Sequence, residues 1–250
     1  MNRRFGSKPV QVDEENPYWL SFSDLMSALL VVFILAAVAL IIELTETQKI
    51  VERDIEQLRN AEKARRDILH DVRDELARQN IIVQITDNDT VLRIPETTLT
   101  FASNSYDIPQ EKEVQDEMAA IGRALHQAIN EPFQQNEIGP MRYEYLDTVF
   151  IEGHTDSRAS PRIKGNWGLS AFRAISLWEF WEENLKLEPQ FNDMTNAFDQ
   201  KLFSVSGYAA SRRVQEVEQT DEQRLRNRRI DLRFTVKRPS ISELEKIADK

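Results

Sequence analysis

The sequence predicts a single-pass transmembrane helix followed by an α/β domain in which helices back one sheet. Residues 19–42 (WLSFSDLMSALLVVFILAAVALII) form an almost unbroken apolar run. Beyond residue 80, short β-type segments alternate with segments of helical periodicity. The chain has 250 residues, 41% of them hydrophobic, which is enough for one ordinary core with extensions at its ends.

The composition argues against several classes of function. The 32 Lys and Arg residues are outnumbered by 42 Asp and Glu, and the resulting net charge of -10 disfavours nucleic acid as a partner. The chain has no Cys, which excludes disulfides, thiolate zinc sites and cysteine nucleophiles. His154 and Asp156 share one face of a predicted strand, but no third metal ligand and no paired nucleophile and base emerge. We therefore expect neither an enzyme nor a cofactor or metal site.

The apolar run predicts an uncleaved membrane helix. Between residues 25 and 42 the only polar side chain is Ser27, and at 1.5 Å per residue this stretch spans a hydrocarbon layer of roughly 30 Å. A polar leader over residues 1–18 and the lack of a small-residue cleavage site argue against a signal peptide. Positive charges on the two sides of the run nearly balance, so they do not give its orientation.

Asp24 is the only ionisable side chain inside the run, about 7 Å beyond Trp19 along the helix axis. A carboxylate near this depth needs a partner that offsets the cost of burial in lipid. Two interpretations stay open. Asp24 either lies in the headgroup layer or caps the helix beside Ser21 and Ser23, or it reversibly binds a cation with help from Ser21, Ser23 and Ser27.

Residues 43–80 predict a continuous helix, because they contain no Gly or Pro and are rich in helix formers. Apolar residues recur along this segment at alternating spacings of four and three, although Glu62 and Arg65 interrupt the seam. The pattern predicts a weak coiled coil between two copies, the alternative being a solvated single helix. The seam residues are Val51, Ile55, Leu58, Leu69, Val72 and Leu76.

Residues 81–237 predict the α/β domain, and the polar residues 238–250 a frayed tail. Strands are expected at 81–94, as a pair around an Asp-Asn-Asp turn, and at 146–151, 202–206 and 230–236. Helices are expected at 110–130, 169–185 and 219–228.

The run YWLSFSDLMSALLVVF resembles the membrane helix of the B subunits of ion-driven stators, the group containing MotB, and most closely that of the ZorB subunits of Zorya anti-phage systems. The resemblance implies that Asp24 carries translocated H+ or Na+. It also implies that two copies stand inside a pentamer of a MotA-like or ZorA-like subunit in the bacterial inner membrane, acting in anti-phage defence. A flagellar-type stator subunit and a passive tether between membrane and cell wall remain as alternatives.

Five blocks in the second half of the chain, in order, resemble the OmpA-like peptidoglycan-binding domain, which implies a mixed sheet backed by helices. The blocks are Gly153-His154-Thr155-Asp156, Asn166 with Leu169-Ser170, Arg173-Ala174, Gly207-Tyr208 and Asn227-Arg228-Arg229. The resemblance implies that this domain binds the cell wall in the periplasm and that the N-terminus lies in the cytoplasm.

The resemblance assigns Asp156 and Arg173 to the ligand. A diaminopimelate side chain ends in an ammonium and a carboxylate on one carbon, and an Asp acceptor with a forked Arg donor matches both groups. Asn166, Leu169 and Arg228 match neighbouring motif positions and are expected to shape the pocket. The segment SRASPRIKG after Asp156 departs from the pattern by about two extra residues, and its basic side chains, Arg158, Arg162 and Lys164, could meet acidic wall groups.

Overall fold

The computed structural model describes residues 17–134 and 139–238. Nearly all of the predicted leader (1–18) and of the predicted tail (238–250) lies outside the described residues. The chain divides into two compact units, residues 1–53 and residues 54–250.

Helix α1 (Pro17–Arg78) contains the predicted membrane segment. Its most apolar stretch of 18 residues has a mean hydropathy of 3.1, and within the described ranges it is the one helix long and apolar enough to cross a membrane. The side chains of residues 25–42 are all exposed in the single chain. A continuous apolar surface of this size calls for an apolar environment from outside the chain.

The described part of the second unit contains one five-stranded sheet in the order β1-β2-β5-β3-β4. Strands β3 and β4 are parallel and are joined by helix α3, whereas the other neighbours pair antiparallel. This arrangement confirms the predicted fold class. The bounds are β1 (Gln84–Thr86), β2 (Val91–Pro95), α2 (Lys112–Ile129), β3 (Leu146–His154), α3 (Gly165–Asn184), β4 (Phe203–Gly207), α4 (Asp221–Leu225) and β5 (Arg229–Val236).

Two details follow from local sequence. The β1–β2 turn holds Asp87, Asn88 and Asp89 at φ of 53°, 55° and 56°, a conformation that short polar side chains tolerate best. Helix α4 is shorter than the predicted 219–228. It begins at a capping box in which Thr220 accepts a hydrogen bond from the Gln223 amide.

The C-terminal part of α1 belongs to the core of the second unit. Its inward side chains are fully buried together with residues of the sheet, α2 and α3. The predicted domain start at residue 81 is therefore too late, since the second compact unit begins at residue 54. The predicted seam is also wrong over this stretch, because the same apolar spacing serves the chain's own core. The seam residues concerned are Leu69, Val72 and Leu76.

Glycines on β3 and β4 bring α3 close to the sheet. Gly153 and Gly207 are neighbours in the parallel pair. A Cβ atom on Gly153 would lie 1.9 Å from the Ser170 carbonyl oxygen, and one on Gly207 would lie 2.4 Å from the Ala171 amide nitrogen. Only a residue without a side chain fits at either place. The close approach fixes the first turns of α3 beside the end of β3.

Candidate ligand-binding site at the edge of the sheet

Three charged residues meet at one edge of the sheet because of strand direction. Glu96 directly follows β2, Asp156 follows β3 by two residues, and Arg228 directly precedes β5. Strand β5 lies between the other two and is antiparallel to both, with Arg229 opposite Pro95 on one side and His154 on the other. The carboxyl ends of β2 and β3 therefore meet the amino end of β5.

The edge of the sheet and helix α3 enclose a pocket of about 650 Å³. Helix α3 supplies residues at spacings of three and four, which lie on one helix face. All five residues predicted for ligand binding line this one pocket: Asp156, Asn166, Leu169, Arg173 and Arg228. Its lining also includes residues that the sequence did not single out, among them Glu96, Phe101 and Asp221.

Asp156 is buried and receives four hydrogen bonds. Its Oδ1 accepts the backbone N–H of Arg158 at 3.0 Å. Its Oδ2 accepts Nε and Nη2 of Arg158 at 3.1 and 2.6 Å and Nη1 of Arg228 at 2.8 Å. Burial acts to raise the pKa of Asp156, but the hydrogen bonds from both arginines outweigh it and hold the pKa below its usual value. The carboxylate stays ionised at neutral pH.

Arg173 is buried and is held by backbone groups. Its Nε donates to the Ser105 carbonyl at 2.8 Å and its Nη2 to the Ala102 carbonyl at 3.2 Å. Its guanidinium also lies 5.1 Å from the centre of the Phe101 ring. Among the described residues, both hydrogen-bond acceptors of Arg173 are uncharged backbone carbonyls. Burial lowers the pKa of Arg173, because it removes water from the charged guanidinium. An anion entering the pocket would offset this cost of burying the charge.

Glu96 is a pocket residue that the sequence reasoning missed. It is only 8% exposed, and its Oε2 accepts a hydrogen bond from Nε of Arg228. Burial raises the pKa of Glu96 in spite of this pairing. Arg228 therefore bridges two carboxylates, Glu96 and Asp156. The antiparallel order of β2 and β5 would have pointed to this neighbour, but pairing order cannot be read from one sequence.

Asn166 and Leu169 shape the pocket. The Asn166 Nδ2 donates to the backbone carbonyls of Asp156 at 3.2 Å and Arg158 at 2.8 Å, which ties the loop to the first turn of α3. Leu169 is buried and adds an apolar wall. The loop at residues 157–165, which departs from the OmpA-like sequence pattern, contacts the segment before α2. In it, Arg162 donates to the Asn104 carbonyl and lies 5.5 Å from the Tyr106 ring centre.

A second buried cluster lies within the sheet. Ligand-type atoms of Glu152, His154 and Asp231 lie within 4.8 Å of one another, so His154 has acidic neighbours other than the Asp156 considered from the sequence. The two carboxylates are already paired with arginines, and these positive charges disfavour a bound cation. The surrounding arginines are Arg93, Arg212, Arg229 and Arg233. The cluster is best explained as an ion-pair network of the sheet.

Asp24 lies in the second turn of α1, in the first compact unit. A shallow surface depression there is lined by Leu20, Ser21, Ser23, Asp24 and Ser27. The Ser27 hydroxyl donates to the Ser23 carbonyl at 2.8 Å, within the helix. The three predicted serine neighbours line this depression together with Asp24.

No protein-family model matches this chain, and no curated protein matches it in sequence. Solved structures do. A MotB-like protein of Desulfovibrio vulgaris matches with a TM-score of 0.51 at 18% identity, over 72% of this chain and 95% of that one. The periplasmic domain of Helicobacter pylori MotB matches at 18% identity over 70% and 91%, with a TM-score of 0.49.

The cell wall anchor of the Pseudomonas aeruginosa T6SS matches at 21% identity, over 69% of this chain and 99% of that one, with a TM-score of 0.45. The fold assignment rests on the Desulfovibrio protein, whose TM-score exceeds 0.5. At this level of identity the likeness concerns the fold alone. The chain therefore combines one long apolar N-terminal helix with a mixed-sheet domain of the OmpA/MotB-like fold.

Proposed function

We propose that the chain is the cell-wall-anchored B subunit of an ion-driven membrane motor. One observation carries the proposal. The same chain joins an apolar helical segment of membrane length, residues 19–42, whose single carboxylate is Asp24, to a pocket that holds Asp156 and Arg173. A membrane helix and a wall-binding pocket are the two parts that such a subunit needs.

The pocket suits the free end of a diaminopimelate side chain in cell-wall peptide. Asp156 is an ionised acceptor for the ligand ammonium. Arg173 offers a forked donor to the carboxylate on the same carbon, and the backbone carbonyls that hold it keep its geometry fixed before binding. Arg228, Asn166 and Leu169 complete the walls. The ligand is therefore peptidoglycan.

The orientation follows from the ligand. Peptidoglycan lies outside the inner membrane, so the second unit belongs in the periplasm and the N-terminus in the cytoplasm. The chain then crosses the membrane once, which agrees with one apolar helix among the described residues.

The motor function rests on Asp24. H+ or Na+ would load the carboxylate from the periplasmic side and leave to the cytoplasm. The partners would be a second copy of this chain and a MotA-like or ZorA-like pentamer that turns around the anchored pair. The fully exposed apolar surface of residues 25–42 is available for such packing. The resemblance of this helix to ZorB subunits favours a role in anti-phage defence.

A flagellar-type stator subunit is the alternative, and it would use the same ion-driven rotation for motility. The acidic leader residues Asp13, Glu14 and Glu15 favour the Zorya assignment, because flagellar stator leaders tend to be basic. A neighbouring helicase or nuclease gene would support defence, and flagellar genes would support motility. A passive tether differs from both because it would not need the charge of Asp24.

Sedimentation with purified peptidoglycan tests the anchoring function. We expect Asp156→Ala and Arg173→Ala, in the full chain in detergent, to weaken pelleting by about 10-fold or more, since each removes a charged hydrogen-bonding partner of the ligand. Arg173→Lys keeps the charge but loses the fork, so it should also weaken binding.

Arg213→Ala, which removes an exposed arginine outside the pocket, is the matched control and should pellet like the wild type. Near-UV circular dichroism verifies that each variant is folded. Undiminished pelleting of the folded Asp156 and Arg173 variants would refute wall binding through this pocket.

A further inference from the structure

We infer that Arg158 occupies the ammonium position of the pocket and that a ligand ammonium binds in competition with it. The inference rests on the proposed function and concerns how the same pocket is regulated. Arg158 stands in the loop between β3 and α3, two residues after Asp156.

Asp156 has a limited capacity to accept hydrogen bonds. An ionised carboxylate offers about four lone-pair sites. Three of the four hydrogen bonds converge on Oδ2, two from the Arg158 side chain and one from Arg228, and Oδ1 accepts the Arg158 backbone N–H. A ligand ammonium therefore finds Oδ2 fully occupied, and one acceptor site open on Oδ1, until one of the donors leaves.

The two arginine donors to Asp156 differ in how firmly they are held. Arg228 is 18% exposed at its side chain and is also held by the buried Glu96. The Arg158 side chain is 56% exposed, and its second acidic neighbour, Asp221, lies 3.7 Å away and is itself 74% exposed. Contacts of exposed charges are weak because water and salt screen them. Arg158 is therefore the donor that is released at the lower cost.

The charges that line the pocket balance one another. Three acidic and three basic side chains line it: Glu96, Asp156, Asp221, Arg158, Arg173 and Arg228. When the Arg158 side chain turns out to solvent, one negative charge is left in excess. That excess lies at Asp156 and favours the ligand ammonium there, while the ligand carboxylate goes to Arg173; a ligand with carboxylates alone gains nothing from the exchange.

The test is titration calorimetry of the full chain in detergent with free meso-diaminopimelate and with pimelate. Pimelate has the same carbon chain and both carboxylates but no ammonium. We expect Arg158→Ala to bind meso-diaminopimelate about two- to fivefold more tightly than the wild type, because the ligand ammonium no longer has to displace the guanidinium from Asp156. Its affinity for pimelate should not rise.

Arg162→Ala, in the same loop but directed at Asn104 and Tyr106, is the control and should show no gain. Arg158→Ala leaves Asp156 with hydrogen bonds from Arg228 and from the backbone N–H of residue 158, so the variant should stay folded, which near-UV circular dichroism verifies. The inference is overturned if Arg158→Ala binds meso-diaminopimelate no more tightly than the wild type does. It is also overturned if neither the wild type nor Arg158→Ala binds it detectably. An equal gain for pimelate or for Arg162→Ala overturns it as well, since either result would show general opening of the pocket.

The two proposals fail in different ways. If Asp156→Ala pellets with peptidoglycan as the wild type does, wall binding through this pocket is refuted. If Asp156→Ala loses pelleting while Arg158→Ala gains no affinity, only the competition by Arg158 is refuted.

Discussion

His154 lies beside Asp156 in sequence, yet it has a structural setting of its own. It is 1% exposed, and its ring stacks on Tyr208 at 5.6 Å between centres. Neither ring nitrogen has a hydrogen-bond partner among the described residues. Burial, reinforced by the positive charge of Arg229, lowers the pKa of His154 to about 3. The ring is therefore neutral in the folded protein.

This histidine makes stability depend on pH. Its ordinary pKa is about 6.5, so between that value and about 3 the unfolded chain binds a proton that the folded chain does not. The contribution to stability is complete above pH 6.5 and is lost as pH falls, by about 2 kcal/mol at pH 5. We expect His154→Phe, which keeps an aromatic ring against Tyr208, to remove this component.

Urea unfolding of the wild type and of His154→Phe at pH 7 and pH 5 measures this pH-dependent contribution to the free energy of unfolding. The wild type should lose more free energy of unfolding than the variant between the two pH values. An identical loss in both proteins would show that the His154 proton is not linked to folding.

Individual site residues differ in how far the sequence could predict them. Asp156 and Arg173 stand in recognisable motifs, and the pocket does contain both. Glu96 belongs to no motif and joins the pocket only because β5 pairs with both β2 and β3. The contact of Arg158 with Asp156 depends on a loop conformation, and loops of unusual length carry no reliable sequence signal.

At the scale of elements, the alternation of strands and helices predicted the sheet and its helices well, whereas apolar spacing misplaced the boundary in α1. Heptad-like spacing indicates that one helix face is buried, but it does not identify the residues that cover this face. Leu69 and Val72 are covered by the chain's own domain. Upstream, Val51 and Ile55 are exposed, so pairing of two copies there stays a prediction.

Leu69→Ala tests this revised boundary. Because Leu69 is fully buried in the core, its truncation should lower the free energy of unfolding by about 2–5 kcal/mol, independently of protein concentration. Ile55→Ala, at another predicted seam position but 51% exposed in the single chain, should change the free energy of unfolding of the monomer by less than about 0.5 kcal/mol.

Urea unfolding of the full chain in detergent at two protein concentrations provides the measurement. If the Leu69→Ala loss grew on dilution and Ile55→Ala matched it, the residues would form a seam between copies after all.

On the scale of the whole molecule, the two compact units carry complementary parts of the proposed function. A unit charge that crosses a potential of 100 mV releases about 2.3 kcal/mol. That energy becomes torque between a ring and its axis only if the axis is held. The pocket with Asp156 and Arg173 would provide the attachment, and Asp24 would carry the charge.

Asp24→Asn tests most directly whether Asp24 carries the charge while the pocket provides the attachment. The amide keeps the size of the side chain but cannot bind and release a proton. The variant and Asp24→Glu are expressed with the neighbouring genes, at equal membrane levels, and both phage plating efficiency and ion permeation are recorded. The account predicts that Asp24→Asn loses phage protection and ion flux while still pelleting with peptidoglycan, and that Asp24→Glu retains part of both activities. Wild-type protection and ion flux in Asp24→Asn would contradict the account and leave a passive tether.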